Sequence, residues 1–271
     1  MEFYCATSIY TLLKMMAMEK SLEQLSKKQL NLIKLLYTRH GRKKSGMCIC
    51  EGLRCCEELF HAAPELVEFT VCCEGVVPDF ITSDEVYVIP KHDFEKLTAT
   101  VNSQGILAVT RRPEVSNDKP EDSFILALDK VGDPGNFGTI MRTARAAGLT
   151  ELWFTSGSVD PYNDKVIRSA MAAQFSMNLR VFDSLDSLAE AARSNGYRHF
   201  FLTDPHEGQS LYTENPLYEK TVVIIGSEAH GVSDLAGAKR VTIPMPGNFE
   251  SLNAAQAATI FIFEYVRRIS S

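Results

Sequence analysis

Two copies of one tetrapeptide place polar side chains beside glycine, where they could contact a ligand. PGNF occurs at residues 134–137 and again at 246–249, each time after a short apolar run and before an Ala-rich helical pattern. Glycine and asparagine supply the backbone conformations and the side-chain acceptor that a tight strand-to-helix turn requires. In an open α/β sheet, ligands bind at such turns, beyond the carboxyl ends of the strands. We therefore predict that both copies face one ligand crevice.

Other ligand-binding motifs fit these residues poorly. Gly132, Gly135 and Gly138 have the spacing GxxGxxG, whereas a dinucleotide fingerprint requires GxGxxG and an acidic residue about twenty positions later. The chain has no P-loop, no HExxH and no Ser–His–Asp arrangement, and His206 and His230 stand apart from other candidate ligands. The sequence therefore predicts neither a Rossmann nucleotide site nor a metal centre.

The composition is that of an ordinary globular protein, with 45% hydrophobic and 23% charged residues in a chain of 271. Because the formal net charge is −6, binding to a polyanion would have to depend on local positive charge. No apolar run approaches the roughly 20 residues of a membrane span, and the N-terminus carries Glu2 without the basic region of a targeting peptide. We expect a cytoplasmic protein that does not enter a membrane.

The cysteines are confined to the first part of the chain. All seven lie before residue 74, their number is odd, and their spacing includes no CxxC. The spacing matches no standard zinc pattern, so a zinc site is the less favoured interpretation. Buried free thiols in a reducing cytoplasm are the favoured one.

A change in composition at residues 111–122, RRPEVSNDKPED, predicts a linker between two domains. Before it, a helix over 22–38 and several short strands predict a small α/β unit. After it, apolar strands alternate with helices over 137–147, 163–173, 184–194 and 253–268. Strands without polar alternation indicate a parallel sheet that is covered on both faces. The predicted strands of this sheet are FILAL, ELWFT, LRVF, HFFLT, TVVIIG and RVTIP.

Three motifs after the linker carry a resemblance to a known family. They are DKVGDPGNFGTIMRTARAAG at 129–148, IIGSEAHGV at 224–232 and IPMPGNFESLNAAQAA at 243–258. In order and spacing they resemble the motifs of the SpoU (TrmH-like) RNA ribose methyltransferases of the SPOUT superfamily. The segment KKQLNLIKLLYTRHGRKKSGMCICEGLRCCEELF resembles the substrate-binding domain of many members, which is similar to ribosomal protein L30e.

The resemblance implies a function and an architecture. It implies transfer of a methyl group from S-adenosylmethionine (SAM) to a ribose 2′-hydroxyl of RNA by an obligate homodimer. No metal is expected, because the sequence contains no cluster of metal ligands. Residues 1–110 would form the RNA substrate-binding domain with an N-terminal helical extension, and residues 123–271 the catalytic domain with a deep trefoil knot. Ribosomal RNA is favoured over transfer RNA because the front domain resembles a ribosomal RNA binder. A non-catalytic RNA-binding or ribosome-assembly factor and a base-nitrogen methyltransferase are the alternatives.

The resemblance also assigns catalytic positions: Asn136, Arg142, Glu228, Ser251 and Asn253. The family assigns the arginine to activation of the hydroxyl, but a guanidinium is a poor base. We favour a cation that stabilises the developing alkoxide and holds the neighbouring phosphate, with deprotonated arginine as the alternative. Asn136 would orient the ribose or cap a helix, and Glu228 would bond backbone amides or fix Arg142. Ser251 and Asn253 would contact SAM or cap the last helix.

The positions implied for SAM binding lie in three loops, after HFFLT, after TVVIIG and within 243–254. They are Thr203, Gly226, Ser227, Ile243, Pro244, Met245, Leu252 and Asn253. One departure from the family pattern lies in RSAMAA at 168–173, where members commonly carry glycine near Ala172. That departure puts a local backbone contact in doubt and leaves the enzyme class unchanged.

Positive charge is concentrated where RNA binding would need it. Residues 27–44 contain seven lysines and arginines and no acidic residue. The segment TRHGRKKSG predicts an exposed loop that follows phosphates, with Arg39, Arg42, Lys43 and Lys44 as the RNA-binding residues. A basic loop that is merely solvated is the alternative.

Overall fold

Residues 25–213, 217–247 and 250–270 are described by a computed structural model. They divide into two compact units, with the division between Arg112 and Pro113. The expectations for Glu2, Cys5 and the N-terminal helical extension lie outside the described residues. Among the described helices, none is long and apolar enough to cross a bilayer.

The first unit is built on a four-stranded sheet with the order β1-β4-β2-β3. β4 pairs antiparallel with β1 and β2, and β3 is parallel to β2. The strands are β1 (Met47–Glu51), β2 (Val67–Cys73), β3 (Val86–Ile89) and β4 (Ile106–Arg111). The helices are α1 (Lys27–Leu36), α2 (Arg39–Ser45), α3 (Leu53–Ala62) and α4 (Lys91–Phe94), with a 3-10 turn at Pro64–Leu66.

Alternation along the strands sends side chains to both faces of this sheet. Ile49 of β1 belongs to the cluster that α1 covers with Ile33 and Leu36. Cys50 points the other way, toward α3, where the Cys56 thiol donates to the Cys50 carbonyl at 3.4 Å. The six described cysteines are buried and free, as the sequence predicts.

The second unit is a parallel sheet of seven strands in the order β7-β6-β5-β10-β8-β11-β9. Every neighbouring pair in it is parallel, which confirms the predicted α/β architecture. The strands are β5 (Phe124–Asp129), β6 (Glu151–Thr155), β7 (Asn178–Phe182), β8 (His199–Thr203), β9 (Gln209–Ser210), β10 (Thr221–Gly226) and β11 (Lys239–Thr242). The two-residue β9 was not predicted, because so short a strand leaves no pattern.

Helices cover both faces of this sheet. The helices are α5 (Pro134–Ala146), α6 (Asp164–Ala170), α7 (Leu185–Ser194) and α8 (Ala254–Ile269), with a 3-10 turn at Ala173–Phe175. α5, α6 and α8 pack with Leu126 and Leu128 of β5 on one face, and α7 packs with Ile125 and Trp153 on the other. The trefoil knot that the resemblance implies stays a prediction.

Candidate active site

The loops that carry the three motifs meet because their strands are neighbours. β10 lies between β5 and β8, and β11 follows β8. In a parallel sheet the carboxyl ends of these strands share one edge, so the turns that follow them form one rim. Among the described residues, the rim consists of residues 130–133 after β5, 204–208 after β8, 227–233 after β10, and 243–247 and 250–253 after β11.

The first PGNF copy opens α5, and a residue before it caps the helix. Asp133 is the N-cap, and its carboxylate accepts from the Asn136 backbone N–H at 2.7 Å, while Pro134 stands at the first helical position. Asn136 is therefore not the cap that its sequence context allows, and its side chain is available to the rim. In the second copy, Pro246 and Gly247 lie in a turn well before α8 begins, so the two copies differ in local structure.

The Asn136 side chain connects the other two motifs. Its amide nitrogen donates to the Glu228 carboxylate, and its oxygen accepts from the Asn253 side-chain amide at 2.9 Å. The Asn253 oxygen accepts from the backbone N–H groups of Ala255 and Gln256 at 2.9 and 3.3 Å and caps α8. Asn253 therefore caps α8 with the acceptor end of its amide and binds Asn136 with the donor end.

The loop after β10 is folded tightly enough to require glycine at its first position. A Cβ atom on Gly226 would lie 2.1 Å from the carbonyl carbon of Gly231, which no packing tolerates. The Gly231 N–H donates to the Ser227 carbonyl at 2.9 Å, and the Ser227 hydroxyl accepts from His230 N–H at 3.3 Å. This compact turn presents Glu228 at the rim.

A cavity of about 250 Å³ opens between the loops after β8, β10 and β11. Six of the eight positions predicted to bind SAM line it: Thr203, Gly226, Ser227, Ile243, Met245 and Leu252. Pro244 lines an adjoining cavity of about 440 Å³ that shares Ile243 and Met245. Asn253 lines neither of these cavities and lies beside Leu252 at the start of α8. Glu228 and Ser251, predicted to be catalytic, also line the first cavity.

Several lining residues were missed by the sequence analysis. They are Asp204, Pro205, Ile225, Gly231, Glu250, Ala254, Ala257 and Phe261. Asp204 directly follows the predicted strand HFFLT, and this position at the carboxyl end of a strand could have identified it as a lining residue. The alanines and Phe261 face the cavity only because α8 packs there, which the local pattern does not reveal.

Asp204 contributes charge to the cavity wall. Its carboxylate accepts from the backbone N–H groups of His206 and Glu207 at 2.9 and 2.8 Å and pairs with Arg240. Burial raises the pKa of Asp204, but these hydrogen bonds and the guanidinium lower it more, so the pKa lies below its ordinary value. With Glu228 and Glu250, three carboxylates border a partly apolar cavity. A cationic ligand with an apolar body fits this lining.

Arg142 is not part of the hydrogen-bonded group. It lies six residues after Asn136 on α5, which places the two side chains about 120° apart around the helix axis. Its side chain is exposed, and within the described ranges no hydrogen bond or ion pair involves it. Glu228 contacts Asn136 and not Arg142, so the suggestion that Glu228 fixes the arginine finds no support in the structure.

The basic segment forms a helix, and the placement of Arg42 on an exposed loop is wrong. Arg42 is 2% exposed, and its guanidinium donates to the Leu36 carbonyl at 3.0 Å, which satisfies an acceptor at the end of α1. Arg39, Lys43 and Lys44 are exposed on α2. Binding of RNA by these three residues stays a prediction, and Arg42 instead connects α2 to the end of α1.

No group of three or more His, Cys, Asp or Glu side chains in the described part of the chain is arranged to hold a metal ion. The rim presents side-chain amides, carboxylates and backbone groups at the edge of the sheet.

Residues 123–263 match the model of the SpoU rRNA Methylase family, and residues 27–108 match the MRM3-like substrate binding domain. The chain belongs to the SpoU family. Its Asn136, Glu228 and Asn253 each come from a different one of the three motifs on which the resemblance rests, and the structure brings all three into contact.

Relatives of this SpoU protein extend over nearly the whole chain. The 23S rRNA (guanosine(2553)-2′-O)-methyltransferase RlmP of Bacillus subtilis (strain 168) is 31% identical over 248 residues, which cover 90% of this chain and 98% of that protein. The mitochondrial rRNA methyltransferase 3 of Homo sapiens is 26% identical over 301 residues, covering 88% and 72%.

A solved structure shares the fold of this SpoU protein. The SpoU methyltransferase AviRb from Streptomyces viridochromogenes, in complex with AdoMet, superposes with a TM-score of 0.74 at 26% identity. The match covers 89% of this chain and 99% of that chain.

Proposed function

We propose that this SpoU protein transfers a methyl group from SAM to a ribose 2′-hydroxyl of ribosomal RNA. One observation carries the proposal: the side chains of Glu228, Asn136 and Asn253 are connected by hydrogen bonds, and they lie beside a cavity lined by the loops of the second and third motifs. The names of the relatives, which methylate rRNA, and the substrate-binding domain at residues 27–108 support ribosomal over transfer RNA.

The lining of the cavity suits SAM. Ile243, Met245 and Leu252 offer apolar contact to an adenine ring, and the carboxylates favour the positive charges of the sulfonium and the ammonium group. When bound, SAM would supply an electrophilic methyl group. The residues proposed to hold it are those predicted from the three loops, with Asp204 and Glu250 added.

The side chains at the rim would orient the acceptor sugar. Asn136 is held at both ends of its amide, so it fixes the Glu228 carboxylate. The second Glu228 oxygen has no partner among the described residues and can accept a hydrogen bond from the ribose hydroxyl. Alignment of hydroxyl and methyl in line can supply several kcal/mol, up to roughly 7–11 in ideal cases.

Arg142 would act on the RNA as a cation. Because it is exposed and unpaired among the described residues, it can approach the sugar and its phosphate when RNA is bound. A guanidinium stabilises a developing alkoxide and binds phosphate in two-pronged geometry.

A homodimer is part of the proposal. α8 exposes Phe263 (49%) and Ile269 (60%), and Ile260 and Val266 beside Phe263 are half-buried. A second copy would cover this apolar stripe, as the family resemblance implies. Phe263→Glu should convert a dimer to a monomer in light scattering, and a wild-type monomer at micromolar concentration would contradict the proposal.

The cytoplasm is the proposed compartment. The six described cysteines are buried and free, which suits a reducing environment.

Methylation mapping tests the reaction and the substrate together. Total RNA from cells with and without the gene is treated with alkali, which a 2′-O-methyl group resists at its own linkage. The expected result is one protected ribosomal position that disappears with the gene. A protected position in transfer RNA would change the proposed substrate. Labelled methyl from SAM found on a base would change the proposed acceptor atom. No SAM binding in calorimetry at high protein concentration would favour the non-catalytic alternative.

A further inference from the structure

A buried carboxylate lies at the end of β5, next to the rim, and takes no part in the hydrogen-bonded group described above. Asp129 is the last residue of β5 and is 1% exposed. One oxygen accepts from the Thr155 hydroxyl at 2.7 Å, and the other accepts from the Ser233 backbone N–H at 2.8 Å.

These two partners lie after the strands on either side. β5 has β6 and β10 as its neighbours in the sheet. Thr155 ends β6, and Ser233 lies in the connection between β10 and β11, two residues after Gly231. One side chain at the end of β5 therefore ties the ends of both neighbouring strands together.

The adjacent residue strengthens the same connection. The Lys130 backbone N–H donates to the Thr155 hydroxyl at 3.1 Å, and its ammonium group donates to the Ser233 hydroxyl at 2.9 Å. Lys130 has a φ of 54°, in the left-handed region that lysine rarely adopts. Such a conformation persists where surrounding contacts determine it.

The carboxylate stays charged in this position. Burial raises the pKa of Asp129, but hydrogen bonds from Ser233 and Thr155 and the nearby Lys130 ammonium outweigh burial, so the pKa is lowered. A buried anion with two fixed donors holds them more firmly than a neutral acceptor would.

The loop that Asp129 holds carries Glu228. The loop is closed at its start by the contact of Gly226 with Gly231 and is fixed at its end through Ser233. A displacement of Ser233 would be transmitted through this short, tight turn to the Glu228 carboxylate.

We propose that Asp129 is a positioning residue that holds loop 227–233 so that Glu228 meets Asn136. The proposal deepens the proposed function and rests on it for its catalytic consequence. Asp129 itself touches no reacting atom. Misplacement of a catalytic group by about 1 Å can cost on the order of 100-fold in rate, so the expected effect is measurable.

The test compares Asp129→Asn with a matched control. Glu151→Gln alters another buried, fully hydrogen-bonded carboxylate, at the amino end of β6 and therefore at the opposite edge of the same sheet. Both variants are made in the wild type and in Glu228→Ala. Single-turnover transfer of labelled methyl from SAM is measured on ribosomal RNA from cells that lack the gene.

The expected result is a coupling between positions 129 and 228. Asp129→Asn should lower the rate about 10- to 100-fold in the wild type and less than about twofold in Glu228→Ala. Glu151→Gln should change the rate by the same factor in both backgrounds. Equal factors for Asp129→Asn in both backgrounds would show that Asp129 acts on stability alone, and would overturn the proposal.

Hydrogen exchange tests the loop without requiring turnover. Amides of residues 227–233 should exchange about tenfold or more faster in Asp129→Asn and at the wild-type rate in Glu151→Gln. If Asp129→Asn does not fold, Ser233→Ala takes its place in this test. Ser233→Ala removes only the loop hydroxyl, so it should speed exchange in the loop by a smaller factor. Unchanged exchange in the loop would overturn the positioning role. A wild-type protein that transfers no methyl, with the expected exchange, would instead contradict the proposed function.

Discussion

Asn253 donates its side-chain amide to the Asn136 side-chain oxygen at 2.9 Å, across 117 residues of sequence. The same side chain caps α8 through its oxygen. The start of the last helix is therefore bonded directly to the side chain that meets Glu228, so helix capping and site geometry share one residue.

Asn253→Asp separates these two roles. Aspartate keeps the acceptor that caps α8 but cannot donate to Asn136, and its charge lies close to Glu228. We expect stability within about 0.5 kcal/mol of the wild type, because aspartate and asparagine are equally good caps, and methyl transfer lowered at least about tenfold. Thermal unfolding and single-turnover rates measure the two effects. A variant with the wild-type rate would show that the bond to Asn136 has no catalytic role.

Arg142→Ala should abolish turnover and leave SAM affinity within a few-fold of the wild type. The side chain lies outside the cavity lining and is proposed to act on RNA. Arg145→Ala is the control, because Arg145 is exposed on the same helix and donates to the Ser176 hydroxyl at 2.9 Å. Calorimetry with SAM and methyl-transfer assays give the comparison. Comparable loss of binding and turnover in Arg142→Ala would contradict the proposed role.

Gly226→Ala should weaken SAM binding by at least about tenfold. The added methyl group would overlap the Gly231 backbone and force loop 227–233 away from the cavity. Gly132→Ala serves as the control, because its added methyl group meets no atom within 4 Å. Calorimetry on both variants decides the matter, and tight binding by Gly226→Ala would place the SAM site elsewhere.

The exposed lysines of α2 should govern the salt dependence of RNA binding. Lys43→Ala with Lys44→Ala should weaken binding and reduce the slope of log K against log salt by about 1–2. Lys91→Ala with Lys96→Ala, on and just after α4 of the same unit, should leave the slope unchanged. Filter binding of ribosomal RNA over a salt series gives both slopes, and equal slopes would remove α2 from the RNA interface.

Arg42 should behave differently from its basic neighbours. Because its guanidinium is buried and bonded to the Leu36 carbonyl, Arg42→Ala should lower the thermal stability and leave the salt slope unchanged. A changed slope without a loss of stability would return Arg42 to the RNA-binding set.

Ala172→Gly should stabilise the protein by about 1 kcal/mol. Ala172 has a φ of 59°, in the left-handed region where an alanine Cβ is strained and glycine is not. Ala170→Gly, at the end of α6, should have the opposite sign, because glycine disfavours a helix. Denaturant unfolding measures both. The family resemblance implies glycine near this position, and the left-handed φ of Ala172 is one that glycine adopts without strain.

The sequence alone determined the architecture of the second unit. Apolar strands that alternate with helices require a parallel sheet, and the turns that follow such strands must lie at one edge. The order of the elements therefore predicted a shared edge for these turns, whereas the assignment of Thr203, Gly226 and Ile243 to SAM binding came from the family resemblance of their motifs. Local periodicity and turn chemistry carry this information, since each depends on residues close together in the chain.

The tertiary structure decided which groups meet. No local pattern reveals that Asn136 bonds both Glu228 and Asn253, or that Asp129 reaches Ser233, because these contacts depend on which strands become neighbours. For Arg42 the local sequence pattern gave a wrong prediction of exposure. A run of cations predicts exposure, but the guanidinium of Arg42 is buried because it binds a carbonyl that has no helical partner at the end of α1. Hydrogen-bond donors and acceptors are matched in space, and the order of strands in the sheet sets that match.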